Sequence, residues 1–205
     1  MLSNRLMKHF GAAAAAATVV GAANAAIVWS GVVNLDIPAS TNGLYLNVLN
    51  GANNLPAPGG AGGTVPGWDI NPWSSTGLSF FNNTSGNTYV RASGTSGVSN
   101  LAPGFLIGAG STYGSGAAQA TGANAFVLNS ANNIVGFKFI NEATSQTHYG
   151  WFRISLGSTF ASVPRSVVEY AYESVAGASI EAGAIPAPGA LALLGLAGLA
   201  GRRRR

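Results

Sequence analysis

The fold is decided by three consecutive segments, IVGFKFIN (134–141), THYGWFRISL (147–156) and SVVEYAYE (166–173). In the first of them, Phe137 and Phe139 fall on one side and Lys138 on the other. This alternation with a period of two is typical of a β-strand that buries one face. We therefore predict three antiparallel strands, each with an apolar face turned to a shared core.

The second and third segments alternate in the same way. Their predicted core face carries Phe152, Ile154, Leu156, Val168, Tyr170 and Tyr172. Their opposite face carries Tyr149, Trp151, Arg153, Glu169 and Ala171. Such a difference between the two faces is expected for antiparallel strands in a sandwich.

Shorter β-like runs, separated by Gly, Asn, Ser and Pro, precede these strands. They predict further strands at 27–34, 44–49, 78–82, 88–92, 105–107 and 125–128. The Gly-rich stretches 51–67 and 108–116 are predicted loops. Between the two ends of the chain, no apolar period of 3.6 residues is long enough for a helix. The predicted fold class is therefore all-β: a single antiparallel β-sandwich or jelly-roll-like domain over residues 26–181, with a helix at each end.

The charge of the chain is concentrated at its ends. The net charge is +4, but six of the ten basic residues lie in the first eight or last four positions. Between residues 26 and 185, four basic residues face six acidic ones, which leaves a net charge of −2. We therefore expect no nucleic-acid partner. The chain has no cysteine, which excludes disulfide bonds, thiolate metal sites and a cysteine nucleophile.

Residues 1–25 have the three parts of a secretory signal peptide. Arg5 and Lys8 supply a positive n-region, and FGAAAAAATVVG (10–21) is an uncharged apolar h-region. Ala23 and Ala25 give the small-x-small pattern that signal peptidase recognises. We predict cleavage after Ala25, so that the protein is exported and signal peptidase is a partner.

Residues 182–205 form a second targeting segment. A motif of Pro186, Ala187 and Pro188 is followed by the apolar run 189–201 and by Arg202, Arg203, Arg204 and Arg205. A helix over this run of 13 residues would span ~20 Å, less than the ~30 Å hydrocarbon core of a bilayer. The arginines are expected to stay on the cytoplasmic side, which places the domain outside. A permanent tail anchor in the inner membrane is the alternative.

This three-part end resembles the PEP-CTERM sorting signal, which has a Pro-x-Pro motif, an apolar helix rich in Ala, Leu and Gly, and a basic terminus. The resemblance covers about the last 20 residues and departs from the motif at Ala187, where Glu is usual. It implies processing by an exosortase-type membrane protease and transient attachment to the inner membrane of a Gram-negative-type bacterium. The protein is then released or displayed at the cell surface, where exopolysaccharide is an implied partner.

Several segments also resemble a β core that recurs in secreted bacterial proteins with this tag. They are WDINPW (68–73), LAPG (101–104), FKFINE (137–142), HYGWFRI (148–154) and EYAYE (169–173). The resemblance implies a shared β domain over most of residues 26–181 and no particular mechanism.

A catalytic triad would depend on His148, the one histidine downstream of the predicted leader. Asp36 or Asp69 would have to orient it, and no G-x-S-x-G elbow presents a serine nucleophile. A histidine within this strand is more often a hydrogen-bonded structural residue, which is our interpretation. The stretch 108–116 lacks the G-x-G-x-x-G spacing and a βαβ context, so we expect no nucleotide cofactor.

Glycoside hydrolysis would need two carboxylates roughly 5 to 10 Å apart across a cleft. Glu142 and Glu169 are the pair that could meet across neighbouring strands. The simpler interpretation is that the acidic residues are solvated or form salt bridges with Arg153 or Lys138. We therefore predict a protein that is not an enzyme, with a secreted glycoside hydrolase as the alternative.

The segment 68–73 carries the candidate ligand-binding residues. Trp68 and Trp73 flank Asn71 beside a predicted loop, and sugars are bound by aromatic faces with amides nearby. Asp69 with Asn71 matches the D-x-N start of a calcium loop, but the later ligands are missing. We expect a structural or adhesive role at the cell surface or in the extracellular matrix, with carbohydrate binding as the alternative and no metal beyond this calcium candidate.

Overall fold

The computed structural model describes residues 26–55, 64–83 and 86–186. Within these ranges the chain is all-β, with twelve strands and no helix. In chain order they are β1 (Ile27–Trp29), β2 (Leu35–Asp36), β3 (Pro72–Trp73), β4 (Ser79–Phe80), β5 (Thr88–Val90), β6 (Leu106–Ile107), β7 (Tyr113–Gly114), β8 (Gly116–Ala117), β9 (Ser130–Asn141), β10 (Gln146–Leu156), β11 (Ser166–Glu173) and β12 (Ile180–Glu181). The all-β prediction is confirmed, and the two predicted terminal helices lie outside the described residues.

Seven strands form one antiparallel sheet in the order β1, β11, β10, β9, β5, β7, and β2 pairs with β11 as well. The three segments that decided the predicted fold are its longest strands, β9, β10 and β11. A tight turn joins β9 to β10, in which the Asn141 side chain accepts the N–H of Ala143 at 3.0 Å. Two smaller antiparallel sheets, β12–β6 and β3–β4–β8, complete the described fold.

Apolar side chains cover the central sheet on both of its faces. The larger cluster contains Phe137, Phe139, Phe152, Ile154, Tyr170 and Tyr172, packed against earlier residues such as Leu44, Leu46, Ile70 and Phe80. The smaller cluster contains Ile134, Tyr149, Trp151 and Ala171, packed against Leu101, Ile107 and Ile180. The sequence predicted one apolar face, yet Trp151 on the second face is only 1% exposed. Burying a large apolar side chain contributes roughly 1.5–3 kcal/mol, so both faces stabilise the sheet.

The predicted core position of Val168 is wrong. The register of β10 and β11 shifts there, since Arg153 pairs with Glu169 whereas Ile154 pairs with Val167. An extra residue in one strand is a β-bulge, and it reverses the alternation of side chains beyond it. Val167 therefore enters the larger cluster, and Val168 is half-buried.

Two predicted strands, at 44–49 and 125–128, are absent from the described chain apart from isolated bridges at Leu46. Side chains take the place of some backbone partners in both stretches, as where Tyr45 N donates to Asn54 Oδ1 at 3.0 Å. The amide of Asn133 binds both the N–H and the carbonyl of Val127, at 2.7 and 2.9 Å. Such side-chain bonds to the backbone compete with strand pairing, although the apolar pattern still resembles a strand.

Conversely, the predicted loop at 108–116 contains β7 and the first residue of β8, and β3 and β12 were not predicted. Each of these strands has two residues, too few to show an alternation. The predicted strand at 27–34 stops after Trp29, because Gly31 and Asn34 adopt positive φ angles of 68° and 47°. A left-handed backbone cannot continue a strand.

Arg165, the residue before β11, links three segments of the interior through hydrogen bonds. Arg165 is 1% exposed, and within the described ranges its guanidinium group donates only to main-chain carbonyls. The acceptors are Ile37 (3.1 Å), Pro38 (3.0 Å), Ser74 (2.6 Å), Gly77 and Phe160. Burial lowers the pKa of Arg165 from its usual value. The charge is solvated by peptide dipoles, which explains how a cation can lie in the interior.

Candidate functional site

The predicted glycan segment is mostly committed to packing. Trp68 is 9% exposed and contacts Tyr45 edge-on, with 5.0 Å between the ring centroids. Asn71 is 2% exposed, and its amide nitrogen donates to two carbonyls, Asn42 at 2.8 Å and Leu44 at 3.0 Å. Trp73 is half-buried in β3. The three side chains therefore do not form one open platform, and a glycan contact of Trp68, Asn71 or Trp73 stays a prediction.

Asp69 is a buried structural carboxylate. It accepts the N–H of Val48 at 2.8 Å and the side-chain amide of Asn87 at 3.1 Å. Asn87 in turn accepts the N–H of Ile140 in β9 at 2.9 Å, so the group ties a loop to the sheet. Burial, opposed by these hydrogen bonds and aided by the charge of Glu142, raises the pKa of Asp69 to about 8.

The surroundings of Asp69 do not resemble a calcium site. Both of its oxygens face N–H donors, whereas a cation requires oxygen ligands around it. Among the residues that the structure describes, no three His, Asp or Glu side chains lie close enough to hold a metal ion. The calcium prediction for Asp69 therefore gains no support from its neighbours.

The carboxylate pair Glu142 and Glu169 is not brought together. Glu169 lies opposite Arg153, and Arg153 lies opposite Ile134, whereas Glu142 comes eight residues later, just after β9. At ~3.3 Å per residue, this offset along the strands is ~26 Å. Neither stereochemical class of glycoside hydrolase uses such a separation.

His148 is a structural residue, as the sequence analysis interpreted it. It is 4% exposed, and its Nδ1 lies 2.8 Å from the carbonyl oxygen of Glu173. Its ring stacks on Phe139 with 5.5 Å between centroids. A base enclosed in this way has no access to a substrate.

The arrangement best suited to a ligand is a groove beside β10 and β11, here called the Arg153 groove. Its volume is about 370 Å³, and it is lined by Pro103, Asn132, Ile134, Trp151, Arg153, Glu169 and Gly183. The central sheet positions its charged groups, since Arg153 and Glu169 are directly paired across β10 and β11. Trp151 lies on the same face of β10 and is buried in the smaller cluster.

The ion pair that lines this groove contacts an indole from the neighbouring strand β1. Arg153 Nη2 lies 2.6 Å from Glu169 Oε1, and the indole N–H of Trp29 donates to Glu169 Oε2 at 3.0 Å. Trp29 is 39% exposed, so part of its ring faces solvent. Arg153 Nη1 reaches Asn132 Oδ1 only at 3.5 Å, which is a weak hydrogen bond. Arg153 Nε is buried without a hydrogen-bond partner among the described residues.

These groups can bind a polar, uncharged ligand. The guanidinium and the carboxylate balance each other in charge, while together with the amide they offer both donors and acceptors. An exposed indole supplies a flat apolar surface next to them. Because the groove contains one carboxylate, Glu169, its described residues provide polar recognition and not the acid–base pair of a glycoside hydrolase.

Sequence reasoning anticipated only part of this site. The salt bridge of Arg153 with an acidic residue was predicted, and it is formed with Glu169. Lys138 instead lies over the ring of Tyr113, 4.9 Å from its centroid. Trp29 was missed because its contact with Glu169 joins residues 140 positions apart. The available sequence signal was a Trp in the predicted strand 27–34.

Most residues of the two predicted targeting segments fall outside the described ranges. This applies to Ala23, Ala25, Ala187, Pro188 and the four terminal arginines, Arg202, Arg203, Arg204 and Arg205. Pro186 is the last described residue and is half-buried. The described part of the chain contains no helix with the length and apolar character needed to cross a membrane.

In comparisons with known proteins, no family model, no curated protein and no solved structure matches this chain.

Proposed function

We propose that this protein is exported and acts at the cell surface or in the extracellular matrix as a structural or adhesive component that contacts glycans at the Arg153 groove. The observation that carries the glycan contact is the meeting of a partly exposed indole, Trp29, with the Arg153–Glu169 pair. Sugars present apolar faces and hydroxyl groups that both donate and accept, which suits this combination. A neutral polysaccharide is the ligand class that the balanced charges favour.

The position of the folded region supports the export part of the proposal. Strand β1 begins at Ile27, two residues after the predicted cleavage site. The last strand ends at Glu181, five residues before Pro186. Cleavage after Ala25 and processing near 186–188 by an exosortase-type protease would therefore leave every described strand intact. In this proposal the domain is a β-sandwich, and an apolar helix attaches it transiently to the inner membrane.

Glycan binding is tested with the exported protein and polysaccharides extracted from the surface of the producing bacterium. We expect Trp29→Ala and the double variant Arg153→Met/Glu169→Gln to weaken binding at least tenfold in a pull-down or calorimetric titration. The double variant removes both charges, so that no buried charge is left unpaired. Trp73→Ala is compared with them, because it removes an indole from the segment 68–73 and so separates the glycan contact predicted there from binding at the Arg153 groove.

Two results would contradict the glycan proposal: no binding to any polysaccharide at high protein concentration, or equal loss in Trp29→Ala and Trp73→Ala. Export is checked separately by mass spectrometry of the extracellular fraction. Peptides that extend through residues 189–201 in that fraction would contradict processing of the tag.

A further inference from the structure

We propose that the buried carboxylate of Glu173 is a docking site for the new α-amino group at Ala26, so that removal of the leader completes the fold with an ion pair. This inference rests on the proposed export and on cleavage after Ala25. Glu173 does not line the Arg153 groove, so the inference gives this residue a role separate from glycan binding. It also makes the start of the exported chain part of the folded structure.

The geometry at Ala26 is already that of a bound terminus. Ala26 N donates to Glu173 Oε1 at 2.9 Å, and Ala26 O accepts the N–H of Ser174 at 3.0 Å. The next residue, Ile27, pairs with Glu173 at the start of the β1–β11 ladder. The same Oε1 accepts the N–H of Val175 at 3.0 Å. Ala26 is thus held on both sides, directly beside the carboxylate.

A peptide N–H is a neutral donor, so its hydrogen bond leaves the negative charge of Glu173 unbalanced. Its side chain is 2% exposed, and it makes no salt bridge with any cationic side chain in the described ranges. A buried carboxylate without a counter-charge is costly, and neutral N–H donors offset only part of that cost. The other buried acid of β11, Glu169, has a cation, Arg153.

Cleavage after Ala25 would supply the missing cation. It converts Ala26 N from an amide with one hydrogen into an α-ammonium group with three, and this group has an ordinary pKa of 7.7–8.0. The existing hydrogen bond already has one ionised partner, the carboxylate, and the ammonium group adds the Coulomb attraction between opposite charges. The donor atom does not need to move, since it already lies 2.9 Å from Oε1.

The test is a comparison of two chains that differ in the position of the N-terminal charge. One runs from Ala26 to Arg205 and is released from a fusion by a protease that leaves no extra residue. The other carries one additional Gly before Ala26, which keeps the N–H donor as an amide but moves the charge. Equilibrium unfolding in urea is followed by tryptophan fluorescence for both chains, alone and with Glu173→Gln. Glu181→Gln is the matched control, because Glu181 is exposed in β12.

We expect the chain that begins at Ala26 to have an unfolding constant about tenfold lower than the extended chain. Glu173→Gln should reduce this ratio to less than about twofold, while Glu181→Gln should leave it at about tenfold. Equal unfolding constants for the two unmodified chains would overturn the proposal, and this comparison does not depend on the folding of Glu173→Gln. A ratio that survives in Glu173→Gln would overturn it too.

The intact mass of the exported protein separates this inference from the proposed function. An exported chain that begins at another residue overturns the docking of Ala26 but leaves export and glycan binding standing. A protein that retains Met1 in the cytoplasm overturns the proposed function itself. An exported chain that begins at Ala26, with equal unfolding constants in the urea experiment, overturns only the docking.

Discussion

Replacing Arg165 by Met should destabilise the protein strongly, although no acidic residue pairs with it in the described ranges. Five carbonyl groups would lose the guanidinium as a donor. The carbonyl of Pro38 also accepts the N–H of Ser40 at 2.9 Å, so the loss falls mainly on the other four. An unsatisfied buried acceptor costs ~1 kcal/mol or more, which gives ~4 kcal/mol before relaxation.

Two effects act in opposite directions on this figure. Removing a buried cation relieves its desolvation cost, while the shorter Met side chain leaves space between the three segments that Arg165 joins. We therefore expect a loss of ~3–5 kcal/mol in the free energy of unfolding, a large share of the ~5–15 kcal/mol typical of a domain. Arg165→Lys should lose ~2–3 kcal/mol, because an ammonium group has three donors and no planar fork.

Urea unfolding monitored by tryptophan fluorescence measures the effect. Arg91→Met is the matched control, since Arg91 is half-buried and donates from Nη2 to the single carbonyl of Ser115. It should lose less than ~1.5 kcal/mol. A loss below ~1 kcal/mol in Arg165→Met, or equal losses in both variants, would refute the view that Arg165 braces the interior.

Three further predictions concern the sheet, Asp69 and the groove. Gly150→Ala should lower the free energy of unfolding by ~1–3 kcal/mol, because a Cβ there would lie 2.6 Å from both the Ala171 carbonyl oxygen and Phe137 Cζ. Gly110→Ala, where an added Cβ meets nothing within 4 Å, should leave it unchanged, and thermal melts of both variants measure the difference. The pKa of Asp69 is raised to about 8 in the folded state from 3.8, so its contribution to stability is complete below pH ~4 and is lost as the pH rises towards 8. The difference in free energy of unfolding between the wild type and Asp69→Asn should accordingly fall by up to ~1.4 kcal/mol per pH unit between pH 4 and 8, and it should be constant above pH 8. A difference that does not depend on pH would contradict the burial of Asp69. Arg153→Met alone should be less stable than Arg153→Met/Glu169→Gln, because Glu169 would be left buried and unpaired; the reverse order in urea midpoints would exclude a tight ion pair.

The sequence was most informative where the structure is most regular. The alternation predicted β10 and β11 to within one residue and the end of β9, because the pleat of a strand imposes a period of two on any chain with a buried face; β9 begins four residues earlier than predicted, at Ser130. It failed at Val168, since a bulge depends on the partner strand and leaves no local sign in the sequence. It also failed for strands of two residues, which have no period to detect.

The candidate site was less accessible to sequence reasoning. Trp68 and Asn71 have the right chemistry for a sugar, but both are largely buried. Trp68 packs against Tyr45, and the Asn71 amide donates to two backbone carbonyls. Arg153 was correctly expected to pair with an acid, whereas the choice of Glu169 and the approach of Trp29 follow from strand order. Residue type alone cannot separate a binding aromatic from a packing one.

By itself the sequence determined the all-β class and the three central strands, and it predicted that His148 is hydrogen-bonded within its strand, as it is to Glu173. The two terminal targeting segments stay predictions from the sequence, since such signals are linear and are recognised without tertiary structure. Only the tertiary structure decided that both faces of the central sheet are buried, that Arg165 serves five carbonyls, and that Glu173 lies against Ala26. The physical reason is the separation of the interacting residues along the chain. Alternation and predicted targeting signals involve neighbours in the sequence, whereas Ala26 and Glu173 are 147 positions apart and meet only when β1 pairs with β11.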